Sequence, residues 1–160
     1  MRLRRLRCRG GRRARPRRGH IATTGLHHLR LTVTDLPRSR AFYTEVLGFE
    51  VAAESPGPSD PAVRADPARL YGGVVSATNG ILFGLRPVAP GNDAFVAERV
   101  GLDHVSFTVD SRAALDEAAA KLQARGIEHG EVKELASFGL AILSFSDPDG
   151  VHLELTAPLS

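Results

Sequence analysis

His28, His104 and Glu154 are the residues of this chain whose types and settings suggest chemistry. Each lies in a stretch that alternates polar and apolar residues: His28-Leu29-Arg30-Leu31-Thr32-Val33, His104-Val105-Ser106-Phe107-Thr108-Val109 and Val151-His152-Leu153-Glu154-Leu155. Side chains of a β-strand point alternately to its two faces. One face therefore groups His28 with Arg30 and Thr32, another His104 with Ser106 and Thr108, and a third His152 with Glu154. Two imidazoles and a carboxylate on three strands are the donor set of a facial-triad metal centre. Imidazole nitrogen and carboxylate oxygen suit Fe(II), Mn, Ni, Co or Zn, and the sequence does not choose among these cofactors. A divalent-metal-dependent enzyme is the leading expectation.

The neighbours of these three residues set the remaining chemistry. His152 shares the face of Glu154 and stands either to line the pocket and shuttle a proton or to serve as a hydrogen-bonded structural residue. Arg30 is the least ordinary residue, because a guanidinium on a strand face is costly to bury without an anionic partner. It either pairs with Glu154 or Asp103, or holds a substrate carboxylate or phenolate. His27 falls on the opposite face and reads as structural, and His129 reads as surface. Phe42, Val46 and Leu47 have the helical spacing of ordinary core, and Tyr43 reads as core with a satisfied hydroxyl. Phe138 and Phe145 read as β-core.

The elements that must position these groups occur in two related halves. In the first, a strand at 27–34 leads to Asp35, a helix over 36–46 and Leu47-Gly48-Phe49. In the second, a strand at 102–109 leads to Ser111, a helix over 112–124 and Arg125-Gly126-Ile127. Asp35 and Ser111 are good N-caps, and Gly48 and Gly126 stand where helices end. Strands at 49–54 and 127–133 follow. Asn79-Gly80 is a two-residue hairpin turn between 72–78 and 81–86, and Asp147-Pro148-Asp149-Gly150 is its counterpart between 140–146 and 151–156. The order β-α-β-β-β is thus written twice, joined by a linker at 87–100. A proline-bearing loop, 55–69, has no counterpart in the second half.

Aligning the halves on Gly80 and Gly150 sets Gly84 opposite Glu154, and His28 opposite His104. A four-ligand site would want a carboxylate at position 84. Glycine there leaves that corner empty.

The whole chain bounds the class. Its 160 residues suit one domain, and 42% hydrophobic content is ordinary for a globular protein. No apolar run approaches the roughly 20 residues that span a bilayer. The single cysteine, Cys8, excludes an internal disulfide framework and suits a reducing, cytoplasmic setting. The net charge of +3 is misleading, because residues 1–19 hold ten arginines and no acid. The remainder has 11 Lys+Arg against 18 Asp+Glu, a net −7. Residues 1–23 read as a disordered Arg-rich tail or an upstream translation start. Nucleic-acid binding through that tail is the weaker reading.

With the repeat and its ligands in hand, the chain resembles the vicinal oxygen chelate superfamily (glyoxalase I, extradiol dioxygenases, fosfomycin-modifying thiol transferases, methylmalonyl-CoA epimerases, bleomycin-binding proteins). The resemblance spans about 24–158. It is carried by Gly25-Leu26-His27-His28-Leu29, Val33-Thr34-Asp35-Leu36, Ala41-Phe42-Tyr43, Val46-Leu47-Gly48-Phe49, Leu102-Asp103-His104-Val105, and Asp147-Pro148-Asp149-Gly150 leading to Glu154. It implies an α+β fold of two paired βαβββ modules, 24–86 and 101–158, whose mixed sheets curl into a cup with the metal on its floor. The implied ligands are His28, His104 and Glu154, with Glu154, Arg30 and His152 the candidate catalytic groups. The implied activity is that of a dioxygenase, or of a lyase, isomerase or transferase, on a small molecule chelated through neighbouring oxygens. Gly84 argues against four-ligand glyoxalase and epimerase chemistry. Arg30 stands where the thiol transferases carry threonine, which argues against fosfomycin. The alternative is a metal-free binding protein of the bleomycin-resistance type. Small members commonly pair modules between subunits, so the resemblance implies a homodimer, with His28 of one chain meeting His104 and Glu154 of the other.

Overall fold

Polar–apolar alternation and two capped helices fold this chain into two copies of one unit. The computed structural model describes residues 19, 21, 23–55 and 60–159. The Arg-rich segment, residues 1–18, lies outside them. In the first module β1 (His28–Thr32) leads through α1 (Leu36–Glu45) to β2 (Glu50–Glu54), β3 (Val74–Thr78) and β4 (Ile81–Arg86). In the second, β5 (Val105–Thr108) leads through α3 (Arg112–Ala124) to β6 (Lys133–Leu135), β7 (Leu140–Ser146) and β8 (His152–Pro158). The sheets have equivalent orders, β1-β4-β3-β2 and β5-β8-β7-β6. In each, the first strand lies parallel to the last and the other pairs are antiparallel, so both sheets are mixed.

Local chemistry accounts for the boundaries. Asp35 accepts the backbone N–H of Arg38 at 2.9 Å, and Ser111 accepts that of Ala114 at 3.2 Å, so both helices start at side-chain caps. Asn79 and Gly80 both have positive φ, 43° and 86°, as the primed turn of a two-residue hairpin requires.

Three differences from the sequence reading have physical causes. The strand expected at 127–133 shrinks to β6, preceded by one isolated bridge between His129 and Phe145. Glu128, Gly130 and Glu131 are exposed and offer no apolar face to bury. The segment read as a loop at 55–69 contains α2 (Pro61–Ala65) and a 3-10 turn, Pro67–Gly72. Asp60 and Asp66 cap these starts, each followed by proline at the first position. Phe138 is 60% exposed rather than core.

One core serves both modules. Leu31, Tyr43, Phe49 and Phe83 from the first form a single cluster with Leu115, Leu143, Phe145, Leu153 and Leu155 from the second. Phe107 reaches across to Phe49 and Phe83, with ring centroids 5.5 and 6.1 Å apart. Burying each such side chain is worth about 1.5–3 kcal/mol. The apolar faces of β1, β4, β5 and β8 are thereby used up. The faces bearing His28, Arg30, Ser106 and Glu154 turn away from the core. Among the described residues, no helix is long and apolar enough to cross a membrane.

Candidate metal centre

The second module assembles most of the ionisable groups. A cleft of about 500 Å³ is lined by Asp103, His104, Glu128, His129, His152 and Glu154, with Ser144 and Ser146 beside them. A larger hollow of about 780 Å³ at the end of the first module has only His27 and Glu50 as ionisable groups. Donor chemistry, not size, makes the first of these the candidate site.

The strand expected at 102–109 is only β5, so His104 stands one residue before it, beside Glu154 of β8 in the cleft. Ser106 is paired with Glu154 in the parallel ladder. Its hydroxyl donates to Glu154 Oε1 at 2.9 Å, and Thr156 donates to the same oxygen at 3.0 Å. Both bonds fall on Oε1, so Oε2 remains for a further partner. His104 holds Asp103 through Nδ1. A carboxylate only accepts, so Nδ1 carries the hydrogen, which leaves Nε2 as the ring atom able to present a lone pair. Carboxylates that fix a histidine tautomer in this way are the usual outer support of metal-binding imidazoles.

The first module repeats the motif in part. His28 precedes Leu29 on β1, is exposed, and meets His27 through Nδ1 at 2.9 Å. His27 is therefore an exposed neighbour of His28. The fourth corner is not vacant: a Cβ at Gly84 would lie 2.8 Å from Nε of Arg30, whose side chain occupies that space. Arg30 makes no ion pair with Glu154 or Asp103, which are engaged by hydroxyls and by His104. It lies instead against the ring of Tyr71, with its guanidinium carbon 5.4 Å from the centroid.

Other sequence-derived residues fall as follows. His152 is exposed on the cleft wall, with its ring 5.5 Å from Phe95 in an edge-on arrangement. His129, read as surface, also lines the cleft, and the bridge to Phe145 holds it there. Its signal in the sequence was weak, because the flanking residues lack strand alternation. Tyr43 is 1% exposed and donates its hydroxyl to Asp147 at 2.9 Å. Among the described residues, no three His, Cys, Asp or Glu side chains stand so placed that they could hold a metal ion within one chain. His104 and Glu154 share a cleft; His28 stands on the other sheet.

The comparisons match this architecture. The family model for the Glyoxalase/Bleomycin resistance protein/Dioxygenase superfamily covers residues 25–155. Over 130 residues the chain is 33% identical to the uncharacterized protein YwkD of Bacillus subtilis (strain 168), a match that spans 81% of this chain and 94% of that protein. The glyoxylase/bleomycin resistance protein/dioxygenase domain from Frankia sp. EAN1pec is similar in structure, with TM-score 0.68 and 28% identity over 86% of this chain and 93% of that one. The fosfomycin resistance protein FosX from Listeria monocytogenes shares the fold alone, at TM-score 0.63 and 18% identity over 85% and 94% of the two chains. The repeated βαβββ order, the shared core and these matches agree: the chain belongs to the Glyoxalase/Bleomycin resistance protein/Dioxygenase superfamily.

Proposed function

We propose that this chain is a divalent-metal-dependent enzyme acting on a small molecule that presents two neighbouring oxygens. His104 and Glu154 of one chain and His28 of a second copy would hold the metal. The observation that carries this reading is the preparation of the two donors in the cleft. His104 has its Nδ1 engaged by Asp103, and Glu154 has its Oε1 engaged by Ser106 and Thr156. Each keeps one free donor atom, of the kinds that Fe(II), Mn, Ni, Co or Zn take. A metal so held supplies Lewis acidity to the paired oxygens of a substrate as negative charge develops there.

The chain's own residues do the rest. Ser106 and Thr156 fix the rotamer of Glu154. His152 and His129 bring two imidazoles to the cleft wall, where a proton is taken up or released at a ring nitrogen. Reaction classes consistent with three protein ligands are dioxygen insertion, isomerisation, lyase chemistry and group transfer. A second reading, a metal-free binding protein, draws on the separation of His28 from the other two donors within one chain.

Metal analysis separates the two. Purified full-length protein should hold about one divalent ion per chain, and His104→Ala should lower its affinity by at least about tenfold. Metal absent from the wild type after reconstitution would leave the binding-protein reading, and metal held equally by the variant would remove His104 from the site and overturn the proposed ligand set.

A further inference from the structure

The first module carries two cations on the same sheet face as His28, and nothing among the described residues neutralises them. Arg30 on β1 lies opposite Gly84 of β4, and Thr32 opposite Arg86, so Arg30 and Arg86 are diagonal neighbours on one face. Both guanidiniums lie against a single ring: their carbons are 5.4 and 4.1 Å from the centroid of Tyr71. The Nε atoms of both are buried without a hydrogen-bond partner. Among the described residues neither arginine is in an ion pair, whereas Arg38, Arg40, Arg69 and Arg112 each are.

Three features hold this pair in place. The ring faces attract the cationic heads but accept none of their in-plane N–H groups, so position is fixed while hydrogen-bonding capacity stays open. Tyr71 is aimed by an unusual turn, since Leu70 and Tyr71 both adopt left-handed φ, 54° and 56°, which bulky residues rarely tolerate. That turn is pressed onto β4, because a Cβ at Gly73 would lie 1.9 Å from the Leu85 carbonyl oxygen. Finally, glycine at 84 gives Arg30 the room to lie across the sheet.

Two guanidiniums gathered on one ring, each with its Nε buried and unpartnered and no acid beside it, are better satisfied when an anion joins them. The forked guanidinium suits an oxyanion with two accepting oxygens. We infer that Arg30 and Arg86, braced by Tyr71, form a binding subsite for an oxyanionic group of the substrate, a carboxylate or a phosphate-like group. Where a four-ligand site would set a carboxylate reaching for metal, this sheet sets a cation reaching for substrate. Its place in a reaction rests on the metal-dependent activity proposed above, but the subsite is complete within one chain and is tested without metal.

The chain has two tyrosines and no tryptophan, and Tyr43 is buried away from any added anion, so an anion-dependent change in tyrosine fluorescence reports on Tyr71. Chelator-treated full-length protein is titrated with acetate and with inorganic phosphate, using chloride at matched ionic strength as control. Saturable quenching or enhancement by one or both oxyanions, absent with chloride and absent in Tyr71→Phe, is the expected result. The stronger of the two probes identifies the group. Arg30→Met and Arg86→Met should each weaken binding about tenfold or more, and Arg30→Lys should lose less. Gly84→Ala, which displaces Arg30, should lose binding in the same direction. Unchanged unfolding temperatures establish that these variants fold. Identical titrations in wild type and Arg30→Met/Arg86→Met would overturn the assignment. So would a wild type that binds neither probe while the double variant weakens self-association, which would place the arginines in a subunit contact. Metal binding by His104 and Glu154 is read separately, so loss of either proposal leaves the other standing.

Discussion

Asp147 shows how a single buried carboxyl couples the two modules and what that does to pH response. It is 6% exposed, accepts the Tyr43 hydroxyl, and accepts the backbone N–H groups of Asp149 and Val151 at 2.9 and 2.8 Å. Burial raises its pKa above the ordinary 3.8, against the three hydrogen bonds that favour the charged form. The folded protein therefore keeps this proton to higher pH than the unfolded chain does. The contribution is most favourable below 3.8 and declines as pH rises through the folded-state pKa. Tyr43 moves the same way: burial first, then the Asp147 charge, keeps its phenol protonated. Asp147→Asn removes the titration, retains an oxygen for the two N–H groups, and offers an amide to the Tyr43 oxygen. Urea unfolding from about pH 4 to about pH 7 should show the Asn variant gaining on the wild type as pH rises. A constant difference would mean that Asp147 ionises equally easily in both states. None of this is legible in Asp-Pro-Asp-Gly, which reads as a turn signal; its burial by α1 is a tertiary fact.

At the scale of elements, α1 is secured at its start by a residue more than a hundred positions away. Asp149, 9% exposed, accepts the Thr34 backbone N–H at 3.1 Å, the Thr34 hydroxyl, and the Arg38 guanidinium at 2.6 Å. Asp149→Ala should cost about 2–4 kcal/mol, because it strands buried donors at the helix entrance. Arg38→Ala, whose side chain is 49% exposed, should cost about 1 kcal/mol or less. Chemical denaturation of both variants checks the ordering, and equal losses would make the ion pair, not the buried network, the anchor. Both long helices, both hairpins and the strand faces of His28 and Glu154 were readable from caps, turn pairs and alternation, whereas His104 stands just before β5, off the strand expected at 102–109. The residues around them were less so. β6 is short because its flanks are polar, and α2 was hidden by prolines read as loop formers, although Asp60-Pro61 and Asp66-Pro67 are helix-start pairs. The stacking of Arg30 and Arg86 on Tyr71 joins three segments that no local pattern connects, and it filled the corner that Gly84 alone made look empty.

For the whole molecule, the question is what covers the outward faces of the two sheets. If a second copy does, each site draws His28 from one chain and His104 with Glu154 from the other. His28→Ala and Glu154→Ala homodimers would then each lack a donor at both sites. A random equal mixture of the two chains would rebuild one intact site in each heterodimer, restoring roughly a quarter of the wild-type metal content. Heterodimers that recover no metal would place the complete site within a single chain. The shared core has a different consequence, one of interdependence. Phe107 of the second module packs on Phe49 and Phe83 of the first, and Tyr43 hydrogen-bonds across to Asp147. A lone module would expose the aromatic face that its twin now covers. The repeat is thus not a unit of stability: with the two interiors merged, neither module could be removed or repacked without exposing the other.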